Sequence, residues 1–198
     1  RRMDYDDDGT VTKRDILGHL AGDRGLATDP LVSGPRVRVQ PLSPIRKKIA
    51  EHMVFSRRTS AHVHTVFHVD FSTVQRVRRE KMAEYERAGV RLSYMAFIAR
   101  AVAGAIRRHP IVNASLDGDN VVYHEDVNLG IAVALETGLI VPVIARADER
   151  TLLDLSRAIA DLAERARAKQ LKPDEVHGGT FTITNPGGFG AQFGMPII

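Results

Sequence analysis

Three histidines, His62, His64 and His68, stand at even spacings in His-Val-His-Thr-Val-Phe-His-Val-Asp. On a strand, even spacing puts the three imidazoles on one face. Such a set could bind zinc and keep one coordination position open for water. A working zinc site also needs carboxylates to orient the rings, and none is placed to do so, which favours a polar strand face without metal. Near the N-terminus, Asp4-x-Asp6-x-Asp8-Gly9, followed by Val11 and Asp15, has the spacing of a calcium loop, with oxygen donors at alternate positions and glycine at the sharp turn. Its twelfth position is Asp15 rather than the longer, bidentate Glu, and the three residues before it leave no room for an entering helix. A solvated acidic loop before a helix is the simpler reading, and no metal is expected.

Basic residues cluster at Arg46-Lys47-Lys48, Arg57-Arg58, Arg76-x-Arg78-Arg79 and Arg107-Arg108. Most of these read as solvated helix faces. One or two could hold a phosphate-bearing cofactor, because the guanidinium fork matches phosphate geometry. Nucleic acid is not an expected partner: aromatics are 6% of the chain and Trp is absent, so base-stacking platforms are poorly supplied. The glycine-rich stretch from Gly178-Gly179-Thr180 to Gly190 lacks Gly-Lys-Ser/Thr and has no amphipathic helix after it, so it is neither a nucleotide P-loop nor a dinucleotide fingerprint. It reads as a strand running into a loop where backbone closely approaches another group. Thr182 and Thr184 alternate with Phe181 and Ile183, which sends both hydroxyls to one face.

The elements that must position these groups belong to a chain of 198 residues, 43% hydrophobic, enough for one ordinary domain and a small appendage. No apolar run reaches the roughly eighteen residues of a membrane span, and no signal peptide is evident at Arg1-Arg2. With no Cys, a disulfide scaffold, a thiolate zinc site and a Cys nucleophile are excluded within this sequence, and a reducing compartment suits it. The net charge of +4 permits phosphate-bearing partners without the signature of a nucleic-acid binder. Opening on Arg rather than Met, the sequence is expected to be a fragment.

Thr12 is placed to cap a short helix reaching Leu20. Residues 21–38, with Gly22, Gly25, Pro30, Ser33, Gly34 and Pro35, read as a linker. From Val39 the pattern is that of a packed domain. Ser43-Pro44 opens a helix with Ile45, Ile49 and Met53 on one face. Residues 62–70 alternate like a strand. Ser72 is expected to cap a second helix running to Ala88 and stopped by Gly89. Residues 92–108 predict a third, almost wholly apolar and therefore buried helix, ended by Pro110. Strands are expected at 121–123 and 127–135, then a turn at Glu136-Thr137-Gly138, and a doubly buried strand over 139–144. Residues 150–169 predict a fourth helix with Leu152, Leu155, Ile159, Leu162 and Ala166 on its apolar stripe. A last short strand, 181–184, leads into Asn185-Pro186-Gly187-Gly188-Phe189-Gly190.

A family resemblance rests on an ordered series of motifs. These are Pro41-Leu42-Ser43-x-x-Arg46-Lys47-x-Ile49-Ala50, Arg58-Thr59-x-x-His62-Val63, Leu92-Ser93-Tyr94, Pro110-x-Val112-Asn113-Ala114-Ser115, Asn128-Leu129-Gly130-Ile131-Ala132-Val133, Gly138-Leu139-Ile140-Val141-Pro142-Val143-Ile144 and Gly178-Gly179-Thr180-Phe181-Thr182-Ile183-Thr184-Asn185. From about Val37 to Ile198 the sequence resembles the catalytic domain of the dihydrolipoyl acyltransferases of 2-oxo acid dehydrogenase complexes. The head, Gly9-x-Val11-Thr12-Lys13-x-Asp15-Ile16-Leu17, is similar to the last half of that family's peripheral-subunit-binding domain. That similarity displaces the calcium reading. The implied organisation is therefore residues 1–20 as the end of a subunit-binding domain, 21–38 as linker, and 39–198 as a catalytic domain lacking its C-terminal part.

The resemblance implies an α/β fold of the chloramphenicol-acetyltransferase type, a CoA-dependent acyltransferase architecture with a mixed sheet packed by helices in two layers. It implies homotrimers building a larger core, partnered by lipoyl domains and by 2-oxo acid dehydrogenase and dihydrolipoyl dehydrogenase subunits, with neither nucleic acid nor membrane as partner. The implied reaction moves an acyl group between coenzyme A and a lipoyl group carried on a lipoyl domain outside this sequence. Bacterial cytoplasm is the implied location, or the mitochondrial matrix in a eukaryote. Carried over by position, Arg78 would hold a phosphate of coenzyme A and Ser93 would donate a hydroxyl to it. Thr184 would stabilise the tetrahedral oxyanion, and Asn185 would lie beside it at the cofactor.

Four features depart from the family pattern. Ala61 replaces the Pro before His62, Ala134 replaces an Asp that contacts the coenzyme, and Thr10 replaces an Arg that grips the partner surface. None of the eight histidines, at 19, 52, 62, 64, 68, 109, 124 and 177, opens the His-x-x-x-Asp-Gly motif that carries the family's general base. The 198-residue chain is accordingly expected to bind coenzyme A weakly and not to turn over, since a general base contributes roughly 10²–10⁴-fold. A non-catalytic core or tethering component of the same complex is the alternative reading.

Overall fold

The computed structural model describes residues 38–135 and 138–197. The acidic head, the short helix at Thr12, nearly all of the linker and the turn residues Glu136 and Thr137 lie outside the described residues. The chain divides into two compact units, Arg1–Ile49 and Ala50–Ile198.

Helix α1 (Pro44–Thr59) starts where the sequence predicts, with the Ser43 hydroxyl accepting the Arg46 amide at 3.4 Å. Ile45, Ile49 and Met53 share a face, and all three are exposed. The expected strand at 62–70 does not form. A strand needs a ladder partner, and among the described residues none pairs with this segment. His62 is half-buried with Nδ1 2.9 Å from the Ser60 carbonyl oxygen, while His64 and His68 are exposed. No group of three or more His, Cys, Asp or Glu among the described residues is arranged to hold a metal ion.

Helix α2 (Ser72–Arg87) has Phe71, not Ser72, at its N-cap, and the residue before it holds the first turn: one Asp70 carboxylate oxygen accepts the Ser72 amide at 2.8 Å and its hydroxyl at 2.6 Å. Ser72 is thus the first helical residue. Gly89, at φ +72°, reverses the chain after the helix and lets the Val90 amide reach the Tyr85 carbonyl at 2.9 Å. Helix α3 (Tyr94–Arg108) buries Ala96, Ala99, Ala103 and Ile106 but exposes Arg100 and Ala101. The expectation of a helix buried all round is corrected. Its alanines form one close-approach ridge, and its outer side stays wet.

An unexpected strand, β1 (Ala114–Asp117), pairs antiparallel with β2 (Asn120–Tyr123) through a two-residue turn with positive φ at Gly118. The longer strands expected at 127–135 and 139–144 are each broken in two. They become β3 (Leu129–Ile131) and β4 (Val133–Leu135), and β5 (Gly138–Ile140) and β6 (Val143–Ile144). Pairing keeps a single antiparallel register throughout, Leu129 with Ile144 and Leu135 with Gly138. The break falls at Pro142, which has no amide hydrogen to give the ladder, although its carbonyl still accepts from Ile131 at 2.9 Å. Beyond the break the hairpin leaves the main sheet, so Leu139 is exposed, contrary to a strand buried on both faces.

Strand β7 (Phe181–Ile183) pairs parallel with β3, giving a mixed sheet ordered β6-β3-β7. Helix α4 (Leu152–Arg167) carries a full capping box between Thr151 and Asp154. It packs beside α3, and the core forms where Ala99, Ala103 and Ile106 of α3 and Leu155 and Leu162 of α4 meet Leu129, Ile131 and Ile144 of the sheet. The result is helices over one face of a mixed sheet, as the α/β expectation requires. The face opposite that core carries Gly130, whose missing Cβ would sit 3.1 Å from the Thr182 hydroxyl.

Candidate functional site

Helix α2 places Phe71, its N-cap, and Arg78 two turns apart, so both project toward the start of α3. Arg78 is half-buried, and its Nε donates to the Leu92 carbonyl at 2.8 Å. Its guanidinium carbon lies 5.0 Å from the ring centroid of Tyr94, whose ring meets Phe71 edge-on at 6.1 Å. Only Nε is used by the protein: among the described residues the two terminal nitrogens of Arg78 make no hydrogen bond or ion pair. Arg78 lines a cleft of about 470 Å³ together with Met82, Glu86, Val90, Arg91 and Leu92. Ser93 follows Leu92 directly. It is the N-cap of α3 in extended backbone, yet its hydroxyl makes no capping bond and stays available to a ligand.

Thr184 lies one residue beyond β7 and is exposed. Asn185 is exposed and opens a short 3-10 turn (Pro186–Phe189), its side-chain oxygen accepting the Gly187 amide at 3.0 Å. That bond fixes the loop immediately after Thr184. The structure therefore brings Arg78 to Ser93, and Thr184 to Asn185. No hydrogen bond or ring contact among the described residues joins the two pairs. Ala134, on β4, is exposed opposite Leu139, and Ala61 is exposed beside His62.

A larger cleft, about 590 Å³, runs along α4 between Arg146, Arg150 and Arg157 and the acids Glu149, Asp154 and Asp161. Its charges answer one another, Arg146 to Glu149 at 3.8 Å and Arg157 to Asp154 at 3.9 Å, so it offers an anion little net attraction. The Arg78 cleft is the better phosphate site: it carries two arginines, Arg78 and Arg91, against one acid, Glu86, and among the described residues Arg78 makes no ion pair.

Sequence reasoning missed two residues here. Tyr94 was quoted only within a motif, and nothing in its spacing shows that an arginine two helices' width away in sequence lies over its ring. Asn128 was likewise only a motif residue. Its side chain joins Gly178 and Arg146 and fixes the entry to β7.

The mixed sheet with helices over one face has the fold of acyltransferase catalytic cores, as superposition on solved structures shows. A solved structure of a probable dihydrolipoamide acetyltransferase from Listeria monocytogenes superposes with a TM-score of 0.79 at 34% identity, over 83% of this chain and 71% of that one. Residues 34–198 match the family described as 2-oxoacid dehydrogenases acyltransferase (catalytic domain), and the chain belongs to that family. It is 38% identical over 165 residues to the succinyltransferase component of the 2-oxoglutarate dehydrogenase complex of Cupriavidus necator, covering 83% of this chain and 39% of that protein. It is 43% identical over 166 residues to the acetyltransferase component of the pyruvate dehydrogenase complex of Mycobacterium bovis, covering 82% of this chain and 30% of that protein. The chain thus spans less than half the length of these curated relatives.

Proposed function

We propose that this chain carries the catalytic core of a dihydrolipoyl acyltransferase, which moves an acyl group between dihydrolipoyl-lysine and coenzyme A in a 2-oxo acid dehydrogenase complex. The observation that carries the reading is the half-buried Arg78, which lines a cleft and is held at Nε by the Leu92 carbonyl, with its terminal nitrogens making no hydrogen bond among the described residues and Ser93 following Leu92 in the chain. A fixed guanidinium fork binds a phosphate in bidentate fashion. In the reaction the thiol sulfur attacks the thioester carbonyl carbon, the C=O pair moves onto oxygen, and collapse expels the other thiol. Thr184 donates its hydroxyl to that oxyanion, and Asn185 shapes the loop beside it. A general base takes the proton of the attacking thiol, a role assigned to no residue of these 198, since none of their histidines opens His-x-x-x-Asp-Gly.

Homotrimers building a larger core, service by a lipoyl domain, and association with dehydrogenase subunits belong to the same proposal. They are supported by the names of the relatives, which are components of such complexes. A bacterial cytoplasm is proposed because those relatives are bacterial.

Calorimetric titration of the 198-residue chain with coenzyme A tests the main reading. Saturable binding, weakened about tenfold or more in Arg78→Ala, is expected for loss of a charge-assisted phosphate contact. Absence of saturable binding overturns it. Acyl transfer in a protein that joins this core to a His-x-x-x-Asp-Gly segment, and none without that segment, separates the enzyme from the tethering component.

A further inference from the structure

We propose that Tyr94 is a positioning residue for phosphate recognition, acting through Arg78. The inference rests on the reading of Arg78 as a coenzyme A ligand and extends it to the ring that orients the guanidinium.

A free arginine side chain has four rotatable bonds and loses that freedom on binding a phosphate. Here it is restrained before any ligand arrives. The Leu92 carbonyl takes Nε at 2.8 Å, which fixes one edge of the guanidinium. The Tyr94 ring lies 5.0 Å from the guanidinium carbon, within cation–π range, and restrains the group from a second side. Phe71 meets Tyr94 edge-on at 6.1 Å, so the ring is itself held in place. Phe71 and Arg78 sit two turns apart on α2, and Tyr94 is the first residue of α3, so the stack spans the junction of two helices. The three side chains act as one unit: an aromatic support, an aromatic platform and a cation. Among the described residues the two terminal nitrogens, the pair a phosphate needs, make no hydrogen bond, and Arg78 lines the cleft.

Tyrosine is not required as such, because the platform uses its π face. The phenol oxygen makes no hydrogen bond among the described residues. Tyr94→Phe should therefore preserve the function, and an aliphatic residue of similar bulk should lose it.

The test is a double-mutant cycle on the full 198-residue chain, titrated with coenzyme A by calorimetry. Tyr94→Leu is expected to weaken binding about three- to tenfold, and Tyr94→Phe to stay within about twofold. In an Arg78→Ala background, Tyr94→Leu should have no further effect, because a positioning residue has nothing left to position. An equal effect of Tyr94→Leu with and without Arg78 overturns the proposal and leaves the role of Arg78 standing. Should Tyr94→Leu fail to fold, Tyr94→Gln serves instead: the position is partly exposed, the substitution removes the π face, and wild-type affinity in a folded Tyr94→Gln overturns the proposal. Absence of coenzyme A binding by the wild-type chain overturns the underlying reading and this inference with it.

Discussion

The side-chain oxygen of Asn128 accepts the main-chain amide of Arg146 at 3.0 Å. Arg146 sits at φ +47°, a left-handed conformation that a β-carbon makes costly, and this bond is among the contacts that hold it there. The same carboxamide donates to the Gly178 carbonyl at 3.1 Å, and the Asn128 main chain pairs with Thr180 in both directions. One residue therefore ties β3 to the turn after β6 and to the approach to β7. Both bonds are exposed, so water can replace them, and Asn128→Ala should cost about 1 kcal/mol, the net worth of a hydrogen bond rather than a burial penalty. Asn128→Asp keeps the acceptor and should lose less. Denaturant midpoints of the two variants check the order.

Gly130 has no room for a methyl group. A Cβ there would lie 2.8 Å from a Val141 methyl and 3.1 Å from the Thr182 hydroxyl. Gly130→Ala is expected to destabilise by about 1–3 kcal/mol through overpacking. Shortening the neighbour relieves the clash, so the pair Gly130→Ala with Val141→Ala should be more stable than the sum of the single losses predicts. Additive losses in thermal or chemical melts would show that the cost has another origin.

Acid should weaken the junction after α4 in a defined way. Arg165 clasps Glu175 through both terminal nitrogens, at 2.6 and 2.7 Å, and the Lys172 amide donates to the same carboxylate at 2.8 Å. Chiefly through the Arg165 hydrogen bonds, the Glu175 carboxyl is pushed down to about 2 from an ordinary 4.5. The folded state thus favours the ionised form. Its stabilisation is complete above the unfolded-state value and is lost as pH falls from there through about 2. The stability gap between wild type and Glu175→Gln should be constant near neutrality and close across that acid range. A gap of unchanged size in urea melts at low pH would rule the linkage out.

Much of this was legible locally. The stripe of Leu155, Leu162 and Ala166 marks α4 without reference to the rest of the chain, and it is buried as expected; the Thr151–Asp154 capping box is an addition from the structure. What depends on distant partners was not legible. Residues 62–70 alternate well, but alternation does not supply a neighbouring strand. Pro142 was visible as a residue without an amide hydrogen, yet where the hairpin leaves the sheet follows from the position of β7. The β1–β2 hairpin does leave a local signal, the two-residue Gly118-Asp119 turn. Arg78, Ser93, Thr184 and Asn185 came from family resemblance, because no spacing rule distinguishes one arginine of Arg76-x-Arg78-Arg79 from the next. The structure does: Arg76 pairs with exposed Glu80 at 3.5 Å, whereas Arg78 turns to Leu92 and Tyr94.

Thr184 carries the last prediction. It stands just past the end of β7, exposed, with the following loop pinned by the Asn185–Gly187 bond. A hydroxyl aimed at a developing oxyanion stabilises the transition state far more than the bound thioester, whose carbonyl carries little charge. Thr184→Ala, made in a protein that joins this core to a His-x-x-x-Asp-Gly segment, should lower kcat about 10²–10³-fold. The dissociation constant for coenzyme A should change much less. Thr184→Ser keeps the donor and should recover most of the rate. If kcat and affinity fall together in Thr184→Ala, the hydroxyl binds the ground state and the oxyanion assignment is wrong. If Thr184→Ser is as slow as Thr184→Ala while both fold, the methyl group rather than the hydroxyl matters, and the loop after β7 must act by shape.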